Sequence, residues 1–292
     1  MIRHRGLPLI AVATLLCAPA CGLLTGGRAD ALDDDVVEEL RAEIDEVAEG
    51  PAGGAVAWID TPATQLVLAA GEADVANGRE LTGDEAFHIA SVTKMFTATV
   101  ALQLVEEGEL ALDAPVADVV PDLMGRFEHG DQITLRHLLS HASGLPEFLT
   151  TGRFRADHAA LASAEDGPRV AVLETPCAPM DVLDYAAELR PGSAPGTEGA
   201  YSNTNYVVAG HAIEAVTGQS LDAVYRERIF EPVGMDSTWL PCAEDDRGEL
   251  AHGYDHPALS PFPDLDADVL DVTAYHRPWV SGATDWCPPV RT

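Results

Sequence analysis

Phe87-His88-Ile89-Ala90-Ser91-Val92-Thr93-Lys94 puts a hydroxyl and an amine three residues apart at the head of an apolar run. Met95, Phe96, Ala98, Val100, Ala101, Leu102, Leu104 and Val105 follow before Gly108. The pattern predicts a helix that is apolar on nearly every side, hence buried, and closed by a glycine. With Ser91 in its first turn, Lys94 lies on the same face one turn on. The hydroxyl then meets an amine and the positive end of a helix dipole. A serine is a poor nucleophile until a neighbouring base takes its proton, and a desolvated lysine can do so.

Ser-x-x-Lys alone is a weak signal, equally compatible with an N-cap serine beside a solvated lysine. Composition sharpens it. The chain holds sixteen Arg and one Lys, and that Lys is Lys94. Arginine cannot give up its proton, so only this cation can act as a base. A lone lysine opening an apolar helix is also an unusual surface charge.

The remaining composition sets bounds. A chain of 292 residues with 47% apolar content can build one or two domains with a full core. A net charge of −31 argues against nucleic acid and anionic membranes as partners. The acidic residues are spread along the chain and read as a solvated shell.

The first residues read as a targeting segment. Arg3, His4 and Arg5 precede an apolar stretch, Leu7 to Leu16, that is too short to span a bilayer. Ala18-Pro19-Ala20 is a small-x-small cleavage site, which makes 1–20 a signal peptide and 21–33 a flexible tether. Cleavage leaves Cys21 first, in a position that resembles a bacterial lipoprotein processing site. Lipid attachment at Cys21 would anchor the protein on the outer face of a membrane; plain secretion is the other outcome. Cys177 and Cys242 each follow a proline in a loop. A disulfide between them would add about 4 kcal/mol in the chain-entropy model; two buried thiols are the alternative. If those two pair and Cys21 is lipidated, Cys287 is left over.

Along the chain, Asp35 caps a helix striped by Val36, Val37, Leu40, Ile44 and Val47 and stopped at Gly50-Pro51. Residues 55–59 and 65–69 form a β-hairpin around Asp60-Thr61-Pro62, and 71–83 form a polar loop. Thr134 opens a short helix, Asp181 another, and Thr204 or Asn205 a third that ends at Gly218. Leu221 to Phe230 is a last helix, broken at Pro232. His137 and His141 have metal-ligand spacing if both lie on the Thr134 helix, but no third ligand is evident and no metal is expected.

A second chemical candidate lies ahead of the 204 helix. Pro191-Gly192-Ser193-Ala194-Pro195-Gly196 is a rigid loop that delivers Tyr201-Ser202-Asn203 to a helix start. A phenol beside a lysine ammonium can serve as a base, and an amide there can hold a substrate carbonyl or the lysine.

In order, Phe87 to Lys94, Leu112-Asp113-Ala114-Pro115-Val116, Thr134 through His137 and His141 to Pro146, Tyr201-Ser202-Asn203 and Phe230 to Met235 resemble the motifs of serine β-lactamase-related proteins: class C β-lactamases, D-alanyl-D-alanine carboxypeptidases and related esterases. The resemblance covers roughly residues 34–240. It implies an α+β fold of the β-lactamase/transpeptidase type, with a helical subdomain packed on an antiparallel sheet and the active site in the cleft. It also implies that Ser91 forms an acyl-enzyme, that Lys94 and Tyr201 manage the proton, and that Asn203 helps bind substrate. The Ser91 backbone N–H would be one oxyanion donor. No cofactor or metal is implied. The partner is a small-molecule or peptidoglycan-peptide substrate, and a monomer is expected.

The sequence departs from that pattern near its end. The family's His- or Lys-x-Gly motif, which supplies the other oxyanion donor, has no match between residue 241 and Thr292; His252-Gly253 lacks the spacer. From these residues we expect 34–280 to be a catalytic domain shortened by its C-terminal strands, 281–292 to be an atypical tail, and turnover to be weak. The expected function is an exported serine hydrolase acting on D-Ala-D-Ala peptides or β-lactams. An esterase and a non-catalytic penicillin-binding lipoprotein are the alternatives.

Overall fold

A computed structural model describes residues 31–50, 53–154, 179–240, 248–255 and 270–271. The expected signal peptide, Cys21, Cys177, Cys242, Cys287 and the tail all lie outside the described residues.

Helix α1 (Asp34–Glu49) lies against a hairpin of β1 (Gly54–Asp60) and β2 (Gln65–Asp74). The hairpin is antiparallel, with Trp58 opposite Val67 and Ala57 opposite Leu68. Thr61 and Thr64 close its turn with reciprocal backbone hydrogen bonds of 2.8 and 3.3 Å. Alternation sorts the side chains: Leu68 is buried and Val67 is exposed. At Gly71 the backbone is left-handed, and a Cβ would overlap the Gly53 carbonyl oxygen, so only glycine lets the two strands meet there.

The 71–83 segment is not simply a loop. Strand β2 runs on to Asp74, and β3 (Arg79–Glu80) pairs back with it, giving the order β1-β2-β3. So short an edge strand carries no apolar alternation, which explains why a polar loop was expected. Residues 249–252 tie into this region. Ala86 N–H donates to Glu249 O, Ala251 N–H to Ala86 O, and His252 N–H to Ala73 O, each at 2.8 Å.

The helical part holds the main core. Helix α2 (Thr93–Glu107) ends at Gly108, whose left-handed backbone closes it as expected. It begins at Thr93, so Ser91 sits just ahead, in a 3-10 turn (Ala90–Val92). Burial of α2 is one-sided: Val100, Ala101 and Leu104 are covered, while Met95 and Leu102 are exposed. An all-apolar sequence therefore does not mean a helix covered all round.

Helices α3 (Pro121–Met124) and α4 (Leu135–Leu139) follow. Thr134 caps α4 reciprocally with His137: its Oγ accepts the His137 N–H at 3.2 Å, and its own N–H donates to His137 Nδ1 at 3.3 Å. Because α4 ends at Leu139 and His141 takes a left-handed backbone, the two histidines do not share a helix face.

Helix α5 (Pro179–Ala187) starts two residues before the expected Asp181. Helix α6 (Asn203–Thr217) is the central piece; it packs on α2, α4 and α5, and Val207, Val208 and Ile213 are within the core. After α7 (Leu221–Tyr225) the chain passes through a π-helical turn (Arg226–Phe230) into a last helical turn (Glu231–Val233). Pro232 does not break the helix. The helical backbone runs through it to Gly234, whose left-handed conformation closes the helix.

Candidate active site

The site is assembled where α2 and α6 begin. Ala90 holds a left-handed backbone with φ of 46°, a conformation costing an L-residue about 1–2 kcal/mol. The chain turns sharply there, and Ser91 projects from the 3-10 turn one helical turn before Lys94. Lys94 is 7% exposed, so its ammonium is withdrawn from solvent.

Tyr201 comes from the other side. The 191–200 loop lies along 141–144 through Gly192 N–H to Gly144 O (3.0 Å), Gly196 N–H to Ala142 O (2.8 Å) and Ala200 N–H to His141 O (2.8 Å). Gly144 is left-handed, and a Cβ there would overlap the Ser193 carbonyl oxygen, so the close approach requires glycine. This contact sets Tyr201 at the mouth of the site, 55% exposed.

The four residues singled out from sequence meet. Ser91 Oγ lies 3.1 Å from Lys94 Nζ and 2.7 Å from Tyr201 Oη. Lys94 Nζ also donates to Asn203 Oδ1 at 2.7 Å, and Tyr201 Oη is 3.4 Å from the same oxygen. The ammonium stands 5.1 Å from the Tyr201 ring centroid and 5.5 Å from that of Tyr206, within cation–π range. One hydroxyl thus touches two groups able to exchange its proton.

Sequence reasoning gave no role here to the residues behind these four. The His141 ring stacks on Tyr201 with centroids 4.4 Å apart. Its Nδ1 accepts the Ser202 N–H at 3.2 Å and lies 3.2 Å from Asn205 Nδ2. Ser143 Oγ donates to Asn205 Oδ1 and accepts the Leu145 N–H at 2.9 Å. Burial, and then the nearby Lys94 charge, hold His141 below its ordinary pKa of 6.5, against a smaller opposing effect from the Ser202 bond. The ring is therefore neutral at neutral pH. Glu147 was missed as well: its Oε2 accepts the Asn203 backbone N–H at 2.6 Å and Asn203 Nδ2 at 3.0 Å. The available signal was position, since both residues lie in or directly after the Thr134 to Pro146 run.

No group of three His, Cys, Asp or Glu that could hold a metal ion occurs among the described residues.

A family model described as Beta-lactamase matches residues 34–285. The chain belongs to the Beta-lactamase family. Members of the Beta-lactamase family are serine hydrolases, among them amidases, esterases and β-lactamases. Penicillin-binding protein 4 of Amycolatopsis lactamdurans is 34% identical over 176 residues, 60% of this chain and 41% of that protein. Esterase EstB of Burkholderia gladioli is 33% identical over 230 residues, 75% of this chain and 53% of that one. Among solved structures, the D-amino acid amidase of Ochrobactrum anthropi SV3, complexed with L-phenylalanine amide, superposes with a TM-score of 0.68 at 30% identity. The match covers 86% of this chain and 66% of that one. The α+β fold is thus the β-lactamase/transpeptidase fold of the family. The chain spans about half the length of the curated relatives it matches.

Proposed function

We propose that this protein is an exported serine acyl hydrolase acting on amide or peptide bonds next to a D-amino acid, of the D-alanyl-D-alanine type, through an acyl-enzyme on Ser91. The observation that carries the reading is Ser91 Oγ held 3.1 Å from the chain's one lysine and 2.7 Å from a tyrosine hydroxyl. Lys94 and Tyr201 act as a pair, either as amine with phenol or as ammonium with phenolate. In either form the Ser91 hydroxyl has an acceptor for its proton.

As Ser91 Oγ bonds to the carbonyl carbon, its proton passes to this pair. The Ser91 backbone N–H serves as one oxyanion donor; such a donor is worth about 3 kcal/mol. When the carbon–nitrogen bond breaks, the pair returns the proton to the departing amine. Water then attacks the acyl ester by the reverse proton path and frees Ser91. None of these steps needs a cofactor.

The D-amino acid preference is supported by a relative named a D-amino acid amidase. A relative named an esterase favours ester cleavage as the second reading. Export is supported by Arg3 to Ala20, with Cys21 placed for a lipid anchor.

The test is turnover of D-alanine p-nitroanilide, its L-isomer, nitrocefin and p-nitrophenyl acetate by the full chain and by Ser91→Ala. Ser91-dependent cleavage of the D-anilide over the L-anilide supports the reading. Ser91-dependent cleavage of the acetate alone would replace it with the esterase. Equal rates with Ser91→Ala would overturn both.

A further inference from the structure

Asn203 sits between two charged groups of opposite sign. Its Oδ1 accepts from the Lys94 ammonium at 2.7 Å, and its Nδ2 donates to Glu147 Oε2 at 3.0 Å. An ammonium only donates and an ionised carboxylate only accepts, so these partners fix which end of the amide faces which. Glu147 is itself held: Oε2 also accepts the Asn203 N–H at 2.6 Å, and Oε1 accepts the Leu149 N–H at 3.1 Å. The first α6 residue is thus capped from another loop. Ser202, at the usual capping position, makes no capping bond and instead donates its hydroxyl to Pro146 O at 3.1 Å.

We propose that Glu147 is a positioning residue for the reaction, which orients the Asn203 amide toward Lys94 and sets the charge balance of the lysine that faces Ser91. This rests on the reading of Lys94 as part of the proton-accepting pair. Glu147 touches no reacting atom; it acts through Asn203. Titratable groups facing Lys94 among the described residues include Tyr201 and Tyr206, with their rings at 5.1 and 5.5 Å, and His141, whose ring its charge reaches. Glu147 is a carboxylate joined to Lys94 through one amide. Glu147→Gln removes that charge. If the new amide nitrogen meets Asn203, it also turns the Asn203 amide so that a donor faces the ammonium. Both changes disfavour the charged lysine.

Because Lys94 is the one lysine, lysine labelled with 13C at Cε reports a single side chain in the full protein. Its NMR titration midpoint should fall by about one pH unit in Glu147→Gln. The acid limb of Ser91 modification by a fluorophosphonate should move to lower pH by the same amount, and the plateau above it should fall severalfold because a weaker, less well oriented base takes the proton. Glu147→Asp keeps the charge but shortens the reach; it should move the midpoint less and still slow the modification. It also serves as the test if Glu147→Gln does not fold. An unchanged Lys94 midpoint in folded Glu147→Gln, or wild-type values of both readouts in Glu147→Asp, would overturn the proposal. The titration is independent of activity. A shifted midpoint with no Ser91 modification in any variant would support the wiring and refute the hydrolase reading instead.

Discussion

Lys94→Met removes the proposed base while nearly conserving side-chain volume. The stability side can be worked from the contacts. The ammonium hydrogen-bonds to Ser91 and Asn203 and lies over the Tyr201 and Tyr206 rings. Hydrogen bonds to a charged group contribute about 1.5–3 kcal/mol each, and each cation–π contact about 0.5–1 kcal/mol. Against that stands a desolvation cost of several kcal/mol for an ion this buried. The two sides nearly cancel, and an apolar replacement should leave stability within about 2 kcal/mol of the original, or about 4–8 °C in melting temperature. The chemistry does not cancel. General base catalysis contributes about 10²–10⁴-fold, so modification of Ser91 should slow by that factor. The assay is the second-order rate of fluorophosphonate addition, followed by intact mass, beside a thermal melt. A folded Lys94→Met protein that is modified at the original rate would refute the reasoning.

Tyr201→Phe deletes the hydroxyl 2.7 Å from Ser91 Oγ and should cost about 10²-fold in the same rate, with no loss of melting temperature, because the ring is half exposed. His141 predicts a pH dependence. Its folded pKa lies below its ordinary 6.5, so the unfolded chain binds the proton more readily. Its contribution to stability is complete above 6.5 and is lost as pH falls through the lowered value. Urea midpoints taken from about pH 8 to about pH 5 should therefore fall less steeply for His141→Gln than for the original protein; parallel curves would contradict this. Gly144→Ala introduces a Cβ into a left-handed residue and into the Ser193 carbonyl; it should cost at least about 2 kcal/mol and slow Ser91 modification by displacing the Tyr201 loop, both read in the assays above.

What could be read from sequence was whatever is written locally. The hairpin follows from alternation around Asp60-Thr61-Pro62. The closures of α2 and α6 follow from Gly108 and Gly218, each of which adopts the left-handed backbone that suits glycine. Ser91, Lys94, Tyr201 and Asn203 could be singled out from residue chemistry and motif order, and the structure brings all four together. What could not be read depends on distant partners or on strain. Ala90 and His141 are left-handed without being glycine, and propensity gives no warning of that. The α6 start was misplaced by one or two residues because its cap is Glu147, 56 positions away in the chain, and not a neighbouring side chain. The exposed face of α2 escaped notice because periodicity shows which positions are apolar, not which of them find a covering partner.

The account depends most on acyl transfer to Ser91. Brief incubation of the full chain with a D-alanine thioester, acid quenching and peptide mapping by mass spectrometry tests this directly. The predicted result is one acyl group on Ser91, with none on Ser91→Ala and far less on Lys94→Met. An adduct on another residue, an equal adduct in the Ser91→Ala protein, or none in the original protein would contradict it.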